Sequence, residues 1–109
     1  MTILISDFTK TALSADAGSI VRNEIIKVFD ENSCEEIILD FSGITLFATM
    51  FFNASIGYLV KEREEIVEKI IPINLSELGK RTYNHSVENA KTILDEEISK
   101  MVSDAIDEN

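Results

Sequence analysis

A threonine hydroxyl at the predicted start of a helix is the group in this chain best suited to regulatory chemistry. The stretch from Ile37 to Ala54 is typical of a buried strand, a turn at Gly43 and a helix that begins at Thr49. A helix N-terminus presents unpaired backbone N–H groups and a partial positive charge. A phosphate attached there is well held, so Thr49 is a candidate phosphorylation site.

Thr49 also has a purely structural interpretation. As the N-cap of the helix, its hydroxyl would accept a hydrogen bond from a backbone N–H two or three residues further on. Such a cap contributes about 1 kcal/mol to stability. The two interpretations are compatible until a phosphate is attached, so the sequence leaves both open.

The residues between the strand and the helix favour a tight turn. Asp40 is placed to accept backbone N–H bonds from the turn formed by Phe41, Ser42 and Gly43. We expect Asp40, Ser42 and Gly43 to stabilise this turn. A role for Asp40 in facing a partner is the alternative.

Large apolar side chains surround Thr49. Four of them cannot all point inward from one turn of helix, so some should be exposed: Phe47, Met50, Phe51 and Phe52. Exposed apolar residues that cluster in this way form docking surfaces. The partner-binding candidates are Phe47, Met50, Phe51 and Asn53.

Few residues are suited to catalysis. The four glycines are scattered and form no phosphate-binding loop. His85 is the one histidine and has no serine or cysteine partner in a recognisable motif, so a catalytic triad is not expected. Cys34 is the one cysteine, which excludes an internal disulfide and a cysteine-rich metal site, and we expect an unreactive thiol. We predict a protein that is not an enzyme, without catalytic residues, cofactor or metal.

The net charge of the chain limits the classes of molecule that it is expected to bind. Twenty acidic residues against ten basic residues give a net charge of −10, which repels nucleic acid and anionic membranes. The longest apolar run is far shorter than the roughly 20 residues of a membrane span. The first residues do not resemble a secretory signal, so we expect a cytoplasmic protein. The acidic clusters are typical of a solvated helix surface, with docking to a basic partner as the alternative.

Apolar periodicity predicts strands that alternate with helices. Ile37, Ile38 and Leu39 are consecutive, which indicates a central strand covered on both faces, and Pro72 indicates an edge strand. The predicted order is strand 2–6, loop 8–19, helix to about 30, strand 35–40, helix 49–64, strand 66–75, turn 76–80 and a long helix. This order implies an α/β fold in a single domain, residues 1–109, with a mainly parallel or mixed sheet.

The stretch from Leu39 to Gly57 resembles the strand-to-helix signature of STAS domains, the anti-sigma factor antagonist fold, and is similar to the STAS-like branch of unknown function. In that family, a short motif of an aspartate and two serines begins the helix. A partner kinase that is also the anti-sigma factor phosphorylates the first serine. The resemblance places Thr49 at that serine, and Ala48 and Met50 at its two neighbours.

Three functions follow as hypotheses. The leading one is a regulatory protein-binding module that switches partners, docks on a kinase-like ATPase or anti-sigma factor, and is switched by phosphorylation of Thr49. The second is a constitutive acidic interaction subunit that has lost the phosphorylation switch and assembles through its C-terminal helix. The third is an enzyme or ligand-binding domain that uses the carboxyl ends of the strands, near Asp40, Ser42 and Ser76.

Overall fold

Three parallel strands form one sheet in the order β1–β2–β3. The computed structural model describes residues 1–32 and 36–107, of which 101–107 by backbone alone; Cys34 lies outside the described residues. The strands are β1 (Thr2–Leu4), β2 (Ile37–Asp40) and β3 (Ile70–Ile73). The predicted α/β class with a parallel sheet is confirmed. The central position of β2 and the edge position of β3, which contains Pro72, are as predicted.

Helices connect the strands and follow the last one. Their bounds are α1 (Ala15–Asn32), α2 (Thr49–Phe52), a π turn (Asn53–Gly57), α3 (Tyr58–Glu62), α4 (Glu64–Val67) and α5 (Glu77–Asp107). A short 3₁₀ turn over Ile5–Asp7 ends the first strand earlier than predicted. The α2 segment, the π turn and α3 follow one another without a gap, as the sequence pattern predicts for one helix from Thr49.

Two serine caps set the starts of the longest helices. The Ser14 hydroxyl accepts a hydrogen bond from the Ala17 N–H at 3.0 Å, and the Ser76 hydroxyl accepts one from the Gly79 N–H at 3.1 Å. Helix α1 therefore begins at Ala15, inside the predicted loop 8–19, and α5 begins at Glu77, inside the predicted turn 76–80. Ser14 is thus the residue whose side chain caps α1.

Only one face of the sheet is buried by the described residues. Ile3, Ile37 and Leu39 point into the core, where α1 contributes Val21 and Ile25. The opposite face carries side chains that are half-buried or exposed, with Ile71 at 40% and Ile73 at 37%. Within the described residues, the prediction that β2 is covered on both faces is therefore wrong. A run of apolar residues does not specify whether helices pack on one face of a strand or on both.

Candidate functional site

Main-chain hydrogen bonds fix the segment that leads into Thr49. The Ala12 N–H donates to the Leu46 carbonyl at 2.9 Å, and the Ala48 N–H donates to the Ala12 carbonyl at 2.8 Å. Ala12 is fully buried, so this pairing is shielded from water. The start of α2 is therefore held by a loop that is distant in sequence.

The turn after β2 is closed by side chains. The Asp40 carboxylate accepts bonds from the Ser42 hydroxyl at 2.6 Å and the Ser42 backbone N–H at 2.9 Å. Gly43 has φ +81°, a conformation that other residues rarely adopt. Asp40, Ser42 and Gly43 thus occupy the turn roles predicted for them.

Asn74, which the sequence pattern did not single out, joins the Asp40 turn from the end of β3. Its amide donates to the Asp40 carboxylate at 2.9 Å and to the Ser42 hydroxyl at 3.0 Å. Its own backbone is left-handed, with φ 60°. These bonds, the Asn74 amide first and Ser42 second, lower the pKa of Asp40 from its ordinary value of 3.8.

We predict that replacing Asn74 raises the pKa of Asp40 toward 3.8. The variant is Asn74→Gly, because glycine removes the amide and still tolerates a positive φ. Since the folded pKa is the lower one, the charged carboxylate stabilises the fold at neutral pH, and that contribution is lost as the pH falls from the unfolded value through the folded one. An NMR titration of the Asp40 carboxyl measures the shift. An unchanged pKa in the variant would contradict the role of Asn74.

Thr49 is the first residue of α2 and is not its N-cap. The cap is Ala48, whose extended backbone (φ −136°, ψ 149°) provides no side-chain hydrogen bond. The interpretation of Thr49 as the N-cap is therefore wrong, because Ala48, which pairs with Ala12, is the cap and the helix begins one residue earlier than a cap at Thr49 would place it. Thr49 is exposed, and within the described part of the chain its hydroxyl makes no hydrogen bond.

Beside Thr49, two of the four partner-binding candidates are on the surface. Met50 is 57% exposed and Asn53 is exposed. Positions 49, 50 and 53 are neighbours on one side of a helix, and we call Thr49, Met50 and Asn53 the Thr49 surface. Leu46, which the sequence pattern did not suggest, is a further exposed apolar residue just before it.

The other two candidates pack inward. Phe51 is fully buried, so it is removed from the partner-binding candidates: the helix turns its side chain toward the core, away from Met50. Phe47 is half-buried, with its ring 6.2 Å from that of Phe41 and 6.0 Å from that of Phe52. Phe47 therefore packs mainly against the core and is not part of the Thr49 surface.

A surface cavity of about 460 Å³ opens next to Thr49. Thr49 forms one wall, and α5 forms the other with Arg81, Thr82, Asn84, His85 and Glu88. Neither Arg81 nor His85 makes an ion pair within the described residues. The sequence pattern did not predict that these α5 residues lie beside Thr49. The spacing of Arg81, His85 and Glu88 places them on one side of a helix. Only the tertiary fold brings that side close to Thr49.

The helix that carries the Thr49 surface is interrupted by a π turn at Asn53–Gly57. The buried Ser55 hydroxyl donates to the Phe51 carbonyl at 2.9 Å, and an Arg22 guanidinium N–H donates to the Ala54 carbonyl at 3.4 Å. Arg22 also lies 4.1 Å from the centre of the Tyr58 ring. π turns within α-helices occur frequently at functional sites. Here the carbonyls of Phe51 and Ala54 accept hydrogen bonds from side chains.

The described residues contain no group of three histidine, cysteine, aspartate or glutamate side chains that could hold a metal ion. Within the same residues, every helix is too short or too polar to cross a membrane.

Comparison with known proteins defines the family. The profile of the STAS-like domain of unknown function matches residues 17–80, which is more than half of the chain and runs from α1 to the first turn of α5. Searches of curated proteins and of solved structures found no match. The matched segment contains the Asp40 turn and the whole Thr49 surface. By its sequence, the chain belongs to the STAS-like domains of unknown function.

Proposed function

We propose that this protein is a regulatory protein-binding module in which a partner docks on the Thr49 surface and is released when Thr49 is phosphorylated. The observation that supports this most is the position of Thr49: an exposed hydroxyl without a described hydrogen bond, at the first residue of a helix and beside the exposed Met50. A kinase can reach such a hydroxyl without unfolding the helix. The cytoplasm is the proposed location.

The switch is electrostatic. Met50 offers an apolar contact that a partner would bury. A phosphate on Thr49 adds about −1.5 to −2 charges next to that contact. Burying this charge against a partner costs desolvation free energy, so binding weakens.

The proposed class of partner comes from the resemblance to STAS domains. In the family that the sequence resembles, the partner is a kinase that is also the anti-sigma factor, and we propose a kinase-like ATPase of that kind here. The net charge of −10 disfavours nucleic acid and anionic membranes as alternatives. Binding rather than catalysis is proposed, because the Thr49 surface contains no pair of an acid and a base placed for catalysis.

The test is a capture experiment from the native cell with wild-type, Thr49→Ala and Thr49→Glu baits. We expect an ATPase to be captured by wild type and by Thr49→Ala, and to be lost with Thr49→Glu, because the glutamate places a charge beside Met50. The matched control is Thr45→Glu, which introduces the same charge at another exposed threonine before the helix and should retain capture. Equal capture by all baits would contradict the switch.

A constitutive acidic interaction subunit is the second candidate, and the distal part of α5 favours it. This 31-residue helix leaves residues 95–100 exposed, including Ile98 at 51%. If the partner binds through this part of the helix, truncation before Asp95 removes the exposed segment and abolishes capture, whereas all Thr49 baits still bind. Capture that survives the truncation would exclude this candidate.

A further inference from the structure

The wall of the cavity that faces Thr49 carries side chains from α5 that can donate hydrogen bonds. Arg81 and His85 are one helical turn apart and line the same cavity as Thr49. The Thr82 hydroxyl is already used, because it donates to the Leu78 carbonyl at 2.8 Å. Glu88 supplies the one negative group among the lining residues and lies at the end away from Arg81 along α5.

We infer that this cavity is an intramolecular receptor for a phosphate carried by Thr49, with Arg81 as its main ligand and His85 as the second. The inference deepens the proposed function and depends on it for its biological use. It identifies Arg81 and His85 as the residues that bind the phosphate on Thr49. Neither the family match nor the sequence around Thr49 identifies these residues.

Arginine is suited to this role. Its planar guanidinium donates two parallel N–H bonds to phosphate oxygens and stays charged at every physiological pH. Arg81 has no described ion pair to give up, so binding a phosphate does not cost it another partner. The resulting contact joins α2 to α5 across the open cavity.

The size of the stability change in wild type, compared with that in a variant without Arg81, distinguishes a receptor from simple charge addition. The chain already has a net charge of −10, and a phosphate makes it more negative by about 1.5 to 2 charges. Without a cationic receptor, only the backbone N–H groups at the start of α2 offset this added repulsion, so the phosphate changes stability little. With Arg81 and His85 bound to the phosphate, the charge-assisted hydrogen bonds exceed the repulsion and stability rises.

The experiment uses the full chain with phosphothreonine installed at position 49 during synthesis, so that no kinase is needed. Thermal unfolding is compared with and without the phosphate in wild type, Arg81→Gln and Lys80→Gln. Lys80 is an exposed neighbour that does not line the cavity, so Lys80→Gln removes the same charge without removing the receptor. We expect the phosphate to raise the Tm by about 4 °C in wild type and Lys80→Gln, and we expect most of this rise to be lost in Arg81→Gln.

A phosphorus NMR titration gives a second readout. Because Arg81 favours the doubly charged phosphate, its second pKa should lie below the ordinary value of about 6 in wild type and return toward it in Arg81→Gln. Equal Tm changes in all three proteins, or the same phosphate pKa in both glutamine variants, would overturn the receptor. Neither experiment on the phosphorylated chain includes a partner. Binding of the phosphate by Arg81 can therefore be confirmed even if the capture experiment fails, and capture of a partner can succeed even if Arg81 does not bind the phosphate.

Discussion

Phe52→Ala is expected to lower the free energy of unfolding by about 3–5 kcal/mol. Phe52 is 1% exposed and contacts four other rings, with centroid distances of 5.9 Å to Phe41, 6.0 Å to Phe47, 5.2 Å to Phe51 and 5.7 Å to Tyr83. Truncation removes the apolar area and leaves a cavity between the sheet, α2 and α5. Total stabilities of small proteins are about 5–15 kcal/mol, so this loss is large.

Urea unfolding, followed by circular dichroism, measures the effect of Phe52→Ala. The matched control is Phe8→Ala, in which the same atoms are removed from a side chain that is 36% exposed; we expect a cost below about 1 kcal/mol. If Phe52→Ala leaves too little folded protein, Phe52→Leu keeps most of the volume and should cost about 1.5 kcal/mol or less. A cost for Phe52→Ala no larger than that for Phe8→Ala would contradict the central role of Phe52.

Gly18→Ala is expected to destabilise the protein by about 1–3 kcal/mol, although alanine normally improves a helix over glycine. An added Cβ at Gly18 would overlap the Phe51 carbonyl oxygen and lie 2.9 Å from the Ala54 Cβ. The obstacle is mainly backbone, so α1 has to move away from the helix that carries the Thr49 surface. The propensity gain of up to about 1 kcal/mol does not offset this.

Gly57→Ala is the matched control for Gly18→Ala, because it makes the same change in a helical glycine that has room. A Cβ at Gly57 would meet the Phe52 carbonyl oxygen at 3.4 Å, an ordinary contact. We expect this variant to be neutral or more stable by up to about 1 kcal/mol. Urea unfolding of both variants gives the comparison, and a destabilisation that is equal in the two would contradict the close approach at Gly18.

Local sequence patterns were sufficient for the places of β2 and β3 in the sheet and for the start of α2, but not for the start of β3, since Ile66 and Val67 of the predicted strand 66–75 lie in α4. The consecutive apolar residues of β2 indicated a central strand, and Pro72 indicated an edge strand because proline cannot donate to a neighbouring strand. The order of strand, Gly43 turn and helix gave Thr49 as the first helical residue. Each of these predictions depends on the types of a few residues that are adjacent in sequence.

Features that depend on contacts between distant segments were predicted wrongly or were not predicted. The cap at Ala48 depends on its pairing with Ala12, which no local pattern reveals. The burial of Phe51 depends on which side of the helix meets α1, and adjacent aromatic residues look alike in sequence. Arg81 and His85 reach the cavity beside Thr49 only because α5 packs against α2.

The most direct test of the proposed switch is the affinity of the captured partner for the unmodified protein and for the same protein with phosphothreonine at position 49. Both forms are purified, and binding is measured at equilibrium with the purified partner. We predict that the phosphate weakens binding by about tenfold or more, which corresponds to about 1.4 kcal/mol. Equal affinities for the two forms would contradict a partner switch at Thr49.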